Sequence, residues 1–116
     1  RTTREVSILQ KLFRHAEFGD LSVYEGSNLV FLRGYDVAKN LEFDSPWDAV
    51  RDYVTEAEKT FIHTETSFAD HVDVGITLNG VQELCKASKL PDAVSEDYYN
   101  WVKVDVIPAA LRYFSS

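Results

Sequence analysis

The side chains able to do chemistry in this chain are few in kind. Three histidines (His15, His63, His71) and one cysteine (Cys85) are its only soft metal ligands. None has the close pairing that a tetrahedral zinc site requires, and His63 and His71 flank an expected loop. The five glycines are scattered, so no phosphate-cradling loop forms, and no serine sits in a nucleophile elbow. Cys85 falls at an apolar helical position, which predicts an inert core thiol. These absences argue against an enzyme, a cofactor and a metal. Charge is the chemistry left.

Twelve Lys+Arg stand against nineteen Asp+Glu, a net of −7. A surface of that sign repels nucleic acid over most of its area. The balance is uneven: residues 1–41 carry six basic and five acidic groups, and residues 42–116 carry six and fourteen. A polyanion-binding face must come largely from the first third, helped by a few later lysines. The opposite chemistry is concentrated in Asp44, Asp48 and Asp52, whose four-residue spacing puts them on one side of a helix. Such runs are usually a solvated face.

The elements that must position these charges follow from periodicity. Lys11–Phe18, Leu21–Glu25 and Leu29–Leu32, separated by Gly19-Asp20 and Gly26-Ser27-Asn28, read as a small antiparallel meander. Val6, Leu9 and Phe13 have helical spacing ahead of it, and residues 1–9 are left open. Tyr35–Leu41 places Val37, Ala38 and Leu41 on one helical stripe. Ser45 then caps a helix with Pro46 at its first position, Asp48 in the reciprocal capping position, and Ala49, Val50, Tyr53 and Val54 inward. Lys59–Thr66 and Val72–Leu78 alternate as two further strands. Thr77 or Asn79 caps a helix that turns Val81, Leu84 and Cys85 inward. Pro91 opens the last helix, with Val94, Tyr98, Trp101, Val102 and Asp105 on one face and Trp101 largely buried. Pro108 must kink or end it.

The first two helices have helix-turn-helix dimensions. The outward positions of the second are Trp47, Asp48, Arg51, Asp52 and Thr55, so only Arg51 suits a base edge or phosphate. An ordinary helical hairpin is the plainer reading.

With 116 residues and 13.2 kDa, 45% apolar and 13% aromatic, the chain is one α+β domain: a small antiparallel sheet with about four short-to-medium helices. Folding at this size buries roughly 60–70% of the unfolded surface, enough for a core without staples. The longest apolar run, Leu29–Leu32, is far too short to span a membrane. A single cysteine and no Asn-x-Ser/Thr acceptor predict an intracellular setting. Because the chain opens at Arg1 and holds no methionine, we expect a fragment of a longer protein or a processed product.

Four ordered segments resemble the amino-terminal domain of the BRO family, which comprises baculovirus-repeated-ORF proteins, related large-DNA-virus proteins and phage antirepressors. Phe31 to Phe43 (FLRGYDVAKNLEF) is similar to the family's F-v-a-x-D-V-A-x-x-L-x-y, continuing through Ala49-Val50-Arg51 and Val54 to Lys59. Ile76 to Leu84 (ITLNGVQEL) is similar to i-t-x-x-G-v-x-x-L. Ser88 to Ala93 (SKLPDA), Trp101-Val102 and Asp105 to Pro108 are similar to S-K-L-P-x-A … W-v-x-x-x-V-i-P. Roughly residues 12–113 are covered.

The resemblance implies a compact domain that forms the amino-terminal part of a longer viral protein, binds DNA or another nucleic acid and regulates transcription or replication, in the host nucleus or cytoplasm. It also implies core roles for Phe31, Val37, Ala38, Leu41, Leu84, Leu90, Trp101 and Ile107, close packing at Gly80, and Asp36 at the positive end of the first helix. Among its basic matched residues are Lys89, Arg51 and Lys59. Family members often carry Asn or Lys where this chain has Glu42, Asp44 and Asp48.

Two readings follow. In one, Arg14, Arg33, Arg51, Lys59, Lys86 and Lys89 contact nucleic-acid phosphates, weakly and with strong salt dependence. In the other, an acidic face containing Asp44, Asp48 and Asp52 docks a basic host or viral protein, as an antirepressor module. Neither involves a membrane, and either is compatible with an oligomer.

Overall fold

A computed structural model describes residues 9–26, 29–65 and 70–115. The expected helical spacing at Val6 lies outside these residues, as do Arg1 and Arg4. The first hairpin pairs β1 (Gln10–His15) with β2 (Gly19–Glu25), and β3 (Val30–Arg33) follows. The chain then makes α1 (Gly34–Asn40) and α2 (Pro46–Tyr53), returns as β4 (Lys59–Glu65) and β5 (Asp70–Ile76), and finishes with α3 (Leu78–Ala87), α4 (Asp92–Asn100) and α5 (Ile107–Ser115). The strands form one antiparallel sheet in the order β1-β2-β3-β5-β4. α4 and α5 run on through a π-helical stretch, Trp101–Val106, so the described residues form four helical rods on the sheet. The architecture is α+β, as the alternation of periods predicts.

Period-two alternation decides which face of the sheet is covered. Leu21, Val23, Leu32 and Ile76 point to one side and are fully buried. They meet Val37, Ala38, Leu41, Val50, Val54, Val81, Leu84, Tyr98 and Val102 from the helices in one core. Burying each of the valine, leucine and isoleucine side chains contributes roughly 1.5–3 kcal/mol. Gly34 and Gly80 are required by close approach. A Cβ on Gly34 would lie 3.1 Å from a Val50 methyl, and one on Gly80 3.1 Å from Ile76.

Several local expectations change. β1 ends at His15, because Ala16–Phe18 form a turn that Gly19 completes at φ +105°. The His15 Nδ1 accepts the amides of Glu17 and Phe18 at 3.0 and 3.2 Å, so the ring is a turn fastener rather than a ligand. Leu78 belongs to α3, not to β5, because the Thr77 hydroxyl accepts the Gly80 amide and starts the helix there. Ser45 makes no side-chain cap on α2. Asp48 pairs with Arg51 instead of returning to the cap. Tyr53 is half-exposed against Phe43 (ring centroids 5.8 Å apart) because only Ala49, Val50 and Val54 face the core.

In the last rod the buried stripe is Ser95, Tyr98, Val102, Val106 and Ala110, whereas Val94 and Asp105 face outward. Trp101 is only partly buried, set edge-on to His15 at 5.0 Å. Pro108 does not end the helical run. The π turn immediately before it widens the helix where proline lacks an N–H, and Pro108 becomes an early residue of α5.

Candidate functional site

The six nominated cations do not come together. Arg14 on β1 lies 3.7 Å from Asp20. Arg33, the last residue of β3, donates from Nε to Asp73 at 2.5 Å and from Nη1 to Asp36 at 2.8 Å. Arg51 on α2 donates to Asp52 and Asp48, both at 3.0 Å. Lys59 opens β4 with its Nζ 3.2 Å from Glu56 and donating to the Val50 carbonyl. Lys86 and Lys89 alone among the six form no ion pair among the described residues, and they line different grooves. Lys86 shares one with Asp92 and Glu96, and Lys89 another with Asp44, Asp48 and Asp52.

The three nominated aspartates do come together. Asp44, Asp48 and Asp52 line a groove of about 270 Å³ between the α1–α2 hairpin and the end of α3, with Glu42 beside them. Phe43 and Tyr53 form its aromatic wall. The Ser88 hydroxyl donates to the Leu41 carbonyl and accepts the Leu90 amide, both at 3.1 Å. That pins the α3–α4 link to the end of α1 and puts Lys89 on the groove's edge. Four carboxylates face Lys89 and the helix-bound Arg51, which leaves two uncompensated. Asp44 and Glu42 form no ion pair among the described residues.

Glu42 stands at φ 66°, in the left-handed region. Its amide bonds to the Lys39 carbonyl and that of Phe43 to the Ala38 carbonyl, which is the helix-ending arrangement that normally selects glycine. A glutamate is held there at a conformational cost of about 1–2 kcal/mol.

A second polar cluster escaped the sequence reading. Asp73, nearly buried in β5, accepts the Tyr24 hydroxyl at 2.6 Å as well as Arg33. Asp36 accepts the Ser22 amide at 2.9 Å, supplying the ladder partner that β2 loses where β3 turns into α1. Burial, reinforced by the bond to Asp73, raises the Tyr24 hydroxyl well above its ordinary range. Burial lowers the Arg33 guanidinium, but the bonds to Asp73 and Asp36 outweigh it and hold the group charged. The guanidinium lies 4.9 Å from the centre of the Tyr35 ring, which packs on Trp47 at 5.1 Å. The available signal was a lone aspartate inside the apolar run Val72–Ile76.

Cys85 is half-buried and directs its Sγ at the Ser95 carbonyl, 3.5 Å away. Burial pushes the thiol up to about 11, so it is protonated at neutral pH. No group of His, Cys, Asp and Glu among the described residues is arranged to hold a metal ion, and no helix there is long and apolar enough to cross a membrane. Comparison with protein-family models, curated proteins and solved structures finds no match.

Proposed function

We propose that this domain is a protein-interaction module that docks a basic segment of a partner protein in the groove lined by Glu42, Asp44, Asp48 and Asp52, in the manner of an antirepressor. The BRO-type resemblance supplies the regulatory context. One observation carries the choice between the two charge readings: four of the six candidate phosphate-binding cations are paired with carboxylates of the same chain, whereas Asp44 and Glu42 form no ion pair among the described residues. A paired cation brings its carboxylate's opposing charge to any phosphate that approaches it, and a carboxylate in a groove with aromatic walls can accept lysine or arginine. The strained Glu42 fits the same reading, since stability alone favours glycine there.

The test compares a labelled oligolysine peptide with a labelled DNA duplex by fluorescence anisotropy over a salt series. The peptide binds, weakening as salt rises, and Asp44→Lys/Asp52→Lys removes most of that binding while strengthening any contact with the duplex. Glu42→Gly weakens peptide binding yet raises stability by about 1 kcal/mol. Duplex binding that Lys86→Glu/Lys89→Glu abolishes, with a slope of log K on log salt near −2 for two phosphates, combined with an inert oligolysine, returns the function to nucleic acid.

A further inference from the structure

We infer that β4 is a self-association edge, at which two copies of this chain pair antiparallel and join their sheets. Among the described residues β4 is the outermost strand on its side of the sheet. Folded proteins normally guard such an edge with charges, proline or a bulge. The opposite edge strand, β1, carries Lys11 and Arg14, whereas Thr60 to Thr64 of β4 include no lysine, arginine, carboxylate or proline. Lys59 does not guard the edge, because its ammonium is turned back onto Glu56 and the Val50 carbonyl.

The strand also carries apolar surface that the protein leaves bare. Phe61 is 68% exposed, and Val72, across from His63 on β5, is 53% exposed. Phe61 is paired with Val74 and His63 with Val72, so all four share one face of the hairpin.

The occupant follows from the sequence of the strand, Lys-Thr-Phe-Ile-His-Thr-Glu, which is close to self-complementary about Ile62. Antiparallel pairing centred there sets position 59 opposite 65, 60 opposite 64, 61 opposite 63, and 62 opposite its own copy. Threonine positions then face threonine positions, and each Phe61 lies beside the His63 of the second copy. Aromatic and threonine pairs of this kind are the cross-strand contacts that stabilise a sheet. The net charge of −7 on each copy opposes approach. Association therefore strengthens as salt screens that repulsion, opposite in sign to the docking of a basic peptide in the acidic groove.

Sedimentation of the 116-residue chain, from about 10 µM to about 1 mM at low and high salt, tests this directly. The mass rises from 13.2 kDa toward twice that value with concentration, and at lower concentration in high salt. Phe61→Lys removes the rise while the circular dichroism spectrum and melting temperature are unchanged, the side chain being exposed; Val72→Lys gives a smaller loss. A chain monomeric throughout overturns the inference, as does a Phe61→Lys variant that associates like the parent. The register has its own check in a Cys85→Ser background. Mixing Phe61→Cys and His63→Cys chains gives efficient oxidative cross-linking and either alone gives little, because diagonal neighbours lie about 7–8 Å apart. Equal yields in all three overturn the register.

Discussion

Two arginines in this domain are each gripped by two aspartates, and the two grips differ in every respect that matters energetically. Arg33 joins β3 to Asp73, forty positions away on β5, and to Asp36 on α1, with its side chain 27% exposed and that of Asp73 only 7%. Arg51 reaches Asp48 and Asp52 within its own helix, and its side chain is 67% exposed. The bond lengths barely separate them: 2.5 and 2.8 Å against 3.0 and 3.0 Å. Water separates them. Around Arg51 the solvent already solvates every partner, so the pairs shape local charge and contribute little to folding. Around Arg33 the Asp73 carboxylate has left water and depends on three donors, from Arg33, Tyr24 and the Val74 amide, so the cluster ties β2, β3, β5 and α1 into one arrangement. A count of ion pairs alone would treat the two as equal.

Breaking the buried grip has the largest effect. Arg33→Ala leaves Asp73 with only the Tyr24 hydroxyl and the Val74 amide as donors, and should cost about 3–5 kcal/mol by urea unfolding. A loss below about 1 kcal/mol would show that water replaces the guanidinium and would end the distinction drawn here. Arg33→Lys, which keeps the charge but cannot reach both carboxylates with a planar fork, should fall between the two.

A subtler cut is Tyr24→Phe. It removes one donor to a carboxylate that retains Arg33, so the expected cost is about 1–3 kcal/mol. A double variant with Arg33→Ala should cost less than the sum of the single changes, because both act through Asp73.

The smallest effect on stability sharpens the other half of the comparison. Arg51→Ala should leave the melting temperature unchanged within error, because its partners stay hydrated. The same change frees Asp48 and Asp52 in the groove, so oligolysine should bind more tightly and with a steeper salt dependence. Unchanged binding would detach those two aspartates from the docking surface.

Much of the scaffold was readable along the chain. Pro46 and Pro91 mark helix starts, Thr77 was one of two nominated caps, and alternating Val/Ile/Leu residues locate the strands. The groove was half legible. Asp44, Asp48 and Asp52 declare a shared side by their spacing, but the spacing does not say that Phe43, Tyr53 and the α3–α4 link wall them in. The nominated cations were legible as residues and not as a surface, because their carboxylate partners are set by the fold: Asp73 lies far along the chain from Arg33, and Asp20 faces Arg14 only through the β1–β2 register. Trp101 is only partly buried, and the face of the last helix changes after it. A 3.6-residue period puts Asp105 on the face of Tyr98 and Val102, but the π-helical stretch that begins at Trp101 turns Val106 inward in its place.

The sequence by itself therefore determined the α+β class, the five strand segments, the helix starts and the strong acidic bias, all properties of local pattern and composition. Only the tertiary structure decided which charges are spent. The insertion of β5 between β3 and β4 carries Asp73 under Tyr24 and Arg33, and the end of α1 folds Glu42 and Asp44 toward α2 and α3. The physical reason is that an ion's worth depends on its neighbours and its water, and both are assigned by contacts between segments remote in sequence.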